Sequence, residues 1–139
     1  MQDITQDTKA AKVQVDSPKG YIIKCYIDES LRYREELQAV PVDTCMLAVL
    51  QRAVQGRIEV SNYLVRDNKP LGAVIVNEEG MINGSMVWYI PVGSALWNIW
   101  PSHMTHNNRK CAFGTVCVCG DNGEDFTGLS RSELQFILD

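Results

Sequence analysis

His103, His106, Cys111, Cys117 and Cys119 stand within one short window of the chain. Imidazole and thiolate are the donors that zinc takes, and it takes them tetrahedrally. Structural zinc sites usually pair their ligands as Cys-x2-Cys. Here a His-x2-His step is followed by scattered thiols. If residues 112–119 form a strand, Cys117 and Cys119 point to one face, where two small core residues would also sit. The expectation is core packing, with no metal and no cofactor.

Other chemistry fails on inventory. His103 and Thr105 form a His-x-Thr step like those of two-histidine phosphodiesterases, but no second such step exists, since His106 is the only other histidine. Cys111 beside His103 or His106 would make a nucleophile and base, yet nothing in the sequence marks a thiol as activated. The acidic run Asp121, Glu124 and Asp125 lacks the spacing of a calcium loop and reads as a solvated turn. No catalytic residue is assigned.

Recognition is a better use of this region. Trp88, Trp97 and Trp100 crowd together with Tyr89, and Asn98, Asn107, Asn108 and Arg109 follow closely. Flat rings beside amide and guanidinium donors provide contact area at small entropic cost. The competing reading puts Trp88 and Trp97 in the core with Trp100 as a cover. Trp88, Trp97, Trp100, His103, His106, Asn107, Asn108 and Arg109 are the candidate binding residues.

The elements that must position them follow from patterning. Tyr21–Ile27 is dense in β-formers and reads as a strand. Ser30 is placed to cap a short helix carrying Tyr33, Leu37 and Val40 at helical spacing, ended by Pro41. Asp43 is placed to cap a second helix with Met46, Val49, Leu50, Ala53 and Val54 on one stripe, and Gly56 to close it. Residues 58–66, 71–76 and 86–90 read as three meandering strands joined by turns at Asp67–Pro70 and Asn77–Gly80. A helix is expected from Ser94, stopped by Pro101. Residues 112–119 read as a last strand, and Ser130 with Glu133 has the spacing of a capping box opening a C-terminal helix. The fold class is therefore α+β, with a mostly antiparallel sheet of about five strands, two N-terminal helices and a C-terminal helix.

The totals set bounds. A chain of 139 residues, 45% hydrophobic and 22% charged, suits one globular domain, expected over residues 19–139. Residues 1–18 are polar and read as an arm too poor in apolar side chains to order alone. A net charge of −4 disfavours broad nucleic-acid binding. The dense apolar stretch 86–100 is broken by Pro91 and Gly93 and is too short to span a bilayer. With no signal-peptide pattern and five cysteines, the expected setting is the cytoplasm, or a virion if the protein is phage-borne.

The order strand, helix, helix, three strands, connection, strand, helix resembles the core of the GCN5-related N-acetyltransferases, including their small phage-type members. The stretches Leu50–Arg57 and Asp67–Val76 carry that resemblance. It implies an acyltransferase, genuine or degenerate. Its phosphate-cradling turn would fall at Ile90–Leu96, which has a single glycine, Gly93, and no preceding Arg or Gln. The expectation is thus a non-catalytic binding or assembly protein (accessory, inhibitor or virion component) that self-associates or holds a protein partner. A small-molecule sequestering protein, with a nucleotide-like ligand stacked on Trp97 or Trp100 and paired with Arg109, is the third reading.

Overall fold

A computed structural model of the protein describes residues 20–41, 44–66, 68–80 and 86–138. The arm expected over residues 1–18 and the helix cap expected at Asp43 lie outside these residues.

The first strand, β1 (Gly20–Ile27), turns at once into a second, β2 (Tyr33–Val40). The helix expected from Ser30 does not form. Asp28, not Ser30, controls the local backbone: its Oδ1 accepts from the N–H of Ser30 at 2.8 Å and of Arg32 at 3.0 Å. Leu31 takes the left-handed conformation with φ 63°. That side-chain-built turn is the alternative to a helix which short polar residues offer the backbone. All eight residues of β2 then pair antiparallel with β1. The charged, helix-tolerant wording of residues 33–40 is overridden by the tertiary ladder.

The helix α1 (Met46–Val54) does form, and Met46, Val49, Leu50 and Val54 are its buried stripe. Its end differs from expectation. Gln55 takes the left-handed position with φ 62°. At Gly56 a Cβ would lie 2.5 Å from Nδ2 of Asn77 and would displace that amide. That amide donates to the carbonyl of Val54 at 2.9 Å and so satisfies an orphan acceptor of the helix end.

β3 (Ile58–Arg66) and β4 (Lys69–Asn77) form a hairpin, with Asn68 left-handed at the turn. The expected third strand of the meander leaves this sheet. β5 (Val87–Tyr89) instead joins β7 (Arg109–Phe113) and β6 (Thr105–His106) in a small sheet ordered β5-β7-β6. The helix expected from Ser94 is a single 3-10 segment, η1 (Ala95–Ile99), capped by the Ser94 hydroxyl. Pro101 allows no more than this.

The strand expected over residues 112–119 is two strands in two sheets. Gly114, with φ 75°, lets the chain leave β7 and enter β8 (Val116–Asp121). β8 inserts between β1 and β4, so the main sheet runs β2-β1-β8-β4-β3, with the short β9 (Phe126–Thr127) also on β8. Its strand pairs are all antiparallel.

The chain closes with α2 (Arg131–Leu138). The capping box forms: Ser130 Oγ accepts from the N–H of Glu133, and the Glu133 carboxylate accepts from the N–H of Ser130. Among the described residues the architecture is α+β, with a six-stranded antiparallel main sheet and two helices, one mid-chain and one C-terminal.

Two cores follow from the alternation of side chains along the strands. On one face of the main sheet, Ile22, Ala73, Ile75, Cys117 and Cys119 pack against α1. On the other, Ile23, Val74, Val116 and Val118 pack against Trp88, Leu96 and Trp100 of the small sheet and η1, and Leu134 and Ile137 of α2. β8, buried on both faces, alternates valine to one core and cysteine to the other.

Candidate functional site

The small sheet lies over the second core and leaves an open space between itself and the β3–β4 hairpin. One wall comes from Glu59, Val60 and Ser61 of β3 with Val76, Asn77 and Glu78 at the end of β4. The other comes from His103, Met104, Thr105 and His106, with Cys111, Ala112 and Phe113 of β7. The cleft encloses about 730 Å³. A shallower one of about 420 Å³ lies along the distal half of β3, against η1, Pro101 and α2. His103 lines both.

A serine side chain ties the ridge at His103 to β3. Ser61 Oγ and His103 Nε2 are 2.9 Å apart, and the same hydroxyl lies 2.8 Å from the Met104 sulfur. Ser61 can reach across because β3 carries an extra residue there: Val60 pairs with Ile75 and Asn62 with Val74, leaving Ser61 unopposed. A bulge re-aims the chain, and afterwards Leu64 belongs to the second core whereas Val60 faced the first. The sequence carries a trace of this. In Ile58–Leu64 the polar residues Ser61 and Asn62 stand side by side and break the alternation. Ser61, Met104 and Asn77 are the site residues that sequence reasoning missed.

The candidates named from sequence part company. Trp88 and Trp100 are 4% and 5% exposed and meet edge to face with centroids 5.7 Å apart. Each indole N–H is satisfied internally, by the carbonyls of Gly114 at 2.6 Å and Cys111 at 2.9 Å. Trp88 therefore sits in the core, while Trp100 also reaches the floor of the smaller cleft. Trp97 is half-buried beneath Lys110, whose Nζ lies 4.6 Å from the ring centroid and donates to the Trp97 carbonyl.

Asn107 and Asn108 are the two central residues of the β6–β7 hairpin, with φ 55° and 62°. Two left-handed residues make the turn that matches strand twist, and asparagine tolerates that conformation. Their residue type is accounted for by the backbone. The guanidinium carbon of Arg109 lies over Tyr89 at 3.9 Å from the ring centroid, and His106 pairs with Arg109 across the hairpin. His103 and His106 are thus the candidates that share the large cleft, with Arg109 and the asparagines at the adjacent tip.

The nucleophilic groups are quiet. Burial pushes the thiols of Cys25, Cys117 and Cys119 up to about 12, and raises that of Cys111. Cys117 and Cys119 face α1, on the far side of the main sheet from the histidines. Among the described residues no group of three or more His, Cys, Asp or Glu side chains is placed to hold a metal ion. Nor, among them, is any helix long and apolar enough to cross a membrane.

Residues 26–139 match the sequence model of DUF3846, a domain of unknown function. The chain belongs to that family. The DUF3846 match takes in both clefts and every candidate residue. No curated protein and no solved structure matches the chain. The resemblance to the GCN5-related N-acetyltransferases is overturned by this membership and by the strand-rich fold. Of the stretches that carried the likeness, residues 50–54 are the end of α1 and residues 69–76 lie on β4 of a bulged hairpin; the supposed second helix of the pair is preceded by a strand, and the stretch 90–96 runs into the 3-10 segment η1 rather than a phosphate-binding helix.

Proposed function

We propose that this DUF3846 domain is a non-catalytic binding protein whose receptor is the 730 Å³ cleft between the β3–β4 hairpin and the small sheet. That cleft is the observation that carries the reading. Its volume falls in the range of about 300–1,000 Å³ typical of ligand pockets. Val76, Met104, Ala112 and Phe113 provide an apolar lining, and Glu59, Ser61, His103 and His106 place polar groups at its margin. Such a lining suits a ligand, or a partner's side chain, with an apolar body and a hydrogen-bond-donating head.

Binding rather than turnover is favoured by the state of the reactive groups. Ser61 and His103 form a serine–histidine contact, but among the described residues Ser61 is the hydrogen-bond partner of the His103 side chain, and none of their carboxylates orients the ring as the third member of a serine triad does. The thiols with raised pKa values remain protonated at neutral pH.

Native mass spectrometry of protein purified from its own host tests this. Wild type is expected to retain an added mass that Thr105→Trp loses. Thr105 is exposed on β6 at the cleft, and a tryptophan there fills the opening without touching the core. A bound mass kept equally by the variant would place the receptor elsewhere.

A further inference from the structure

The two margins of the main sheet are unlike. β3 breaks register at Ser61 and again between Leu64 and Val65. β2 pairs with β1 through all eight residues without a break and, among the described residues, with nothing else. Bulges and outward charges are how sheets keep an edge from pairing with another chain. β2 has neither. Its charges are held by its own fold: Arg34 on Asp28 at 2.7 Å, Glu36 by the Tyr26 hydroxyl at 2.6 Å, and Glu35 by the hydroxyls of Tyr33 and Ser94. Leu37 stands between them, 54% exposed.

The backbone direction is also decided. The N–H of Asp28 donates to the carbonyl of Arg32, so the bonded pairs of this antiparallel ladder are the even-numbered ones, such as Tyr26–Arg34 and Lys24–Glu36. Glu35, Leu37 and Ala39 therefore turn both N–H and C=O away from β1, toward the open edge.

We propose that β2 pairs with β2 of a second copy of this chain, antiparallel, with Leu37 of both copies on the two-fold axis. An isologous contact requires one surface to complement itself, and this register does. Leu37 meets Leu37, Glu35 meets Ala39, Glu36 meets Gln38 and Arg34 meets Val40. The bonded pairs fall on the outward-facing residues Glu35, Leu37 and Ala39. Shifting the axis to Glu36 or Glu35 sets a glutamate against itself, which is destabilising. Shifting it to Gln38 shortens the overlap. The main sheet would then run continuously through two chains, with the β3 margin and the large cleft facing outward on both.

Sedimentation velocity on the full chain, over a concentration series reaching several hundred micromolar, tests this. Wild type is expected to shift from monomer to dimer. Leu37→Lys and Leu37→Glu, each placing like charges on the axis, are expected to stay monomeric, and an equimolar mixture of the two to dimerise again. Hydrogen exchange on the wild type gives a readout that needs no variant: the amides of Glu35, Leu37 and Ala39 become protected as concentration rises. A wild type that stays monomeric throughout overturns the proposal. So does a dimer that both variants leave intact, a mixture that fails to re-form it, or association without protection of those three amides.

Discussion

Ser61 on β3 and His103 in the loop after η1, 2.9 Å apart between side-chain atoms, are the bolt between the two sheets on the side where both clefts open. Removing one partner of an exposed neutral hydrogen bond costs about 0.5–1.5 kcal/mol. Ser61→Ala and His103→Ala are each expected to lose about that much in urea unfolding. The double variant should lose less than the sum, because the two remove one interaction. Fully additive losses would show that the contact contributes nothing.

Gly20 and Gly128 bring two stretches of backbone together where β1 begins and the chain enters α2. The bridge between Tyr21 and Leu129 closes there with bonds of 3.0 and 2.7 Å. A Cβ on Gly128 would lie 2.6 Å from the Gly20 Cα, a contact that only backbone movement relieves. Gly128→Ala is expected to destabilise by about 1–3 kcal/mol, the usual cost of overpacking. Its midpoint in a urea titration should fall, and a wild-type midpoint would contradict the close approach.

Leu31 holds a left-handed backbone while its side chain is 66% exposed, so little burial is at stake. That conformation costs a non-glycine residue roughly 1–2 kcal/mol. Leu31→Gly is expected to raise stability by about 0.5–1 kcal/mol after the entropy that glycine adds to the unfolded chain. A higher melting temperature checks it; an unchanged or lower one would show the turn to be relaxed.

Cys45 is exposed, and the other four cysteines are buried. An aromatic disulfide reagent should therefore find Cys45 in the native protein and the rest only on unfolding. The pH consequence has a definite sign. Cys25, Cys117 and Cys119 titrate near 12 when folded against 9.0 as the ordinary value. The unfolded chain loses these protons first as pH rises, so their contribution is intact below about pH 9 and is lost as pH climbs toward 12. Each thiol steepens the fall by about 1.4 kcal/mol per pH unit within that window. Replacing Cys119 with alanine should flatten the alkaline limb of the stability profile, and an unaltered limb would mean that the thiol ionises freely in the native state.

What the chain could say about itself was what depends on nearby residues. The apolar stripe of α1, the reciprocal pair at Ser130 and Glu133, the β-rich first strand and the hairpin at residues 58–77 are all written in local spacing, and each forms. The α+β class followed from them. Tertiary structure decided the remainder, because it hung on partners far away in sequence. Residues 33–40 are a strand because β1 offers eight pairing positions and Asp28 bends the chain back to meet them. Residues 109–121 serve two sheets because Gly114 can adopt a conformation that no spacing rule announces. The rings of Trp88 and Trp100 were legible as adjacent, but whether they faced solvent or each other depended on where the small sheet landed. Ser61 came to the site through a bulge, and a bulge exists only relative to the strand opposite it.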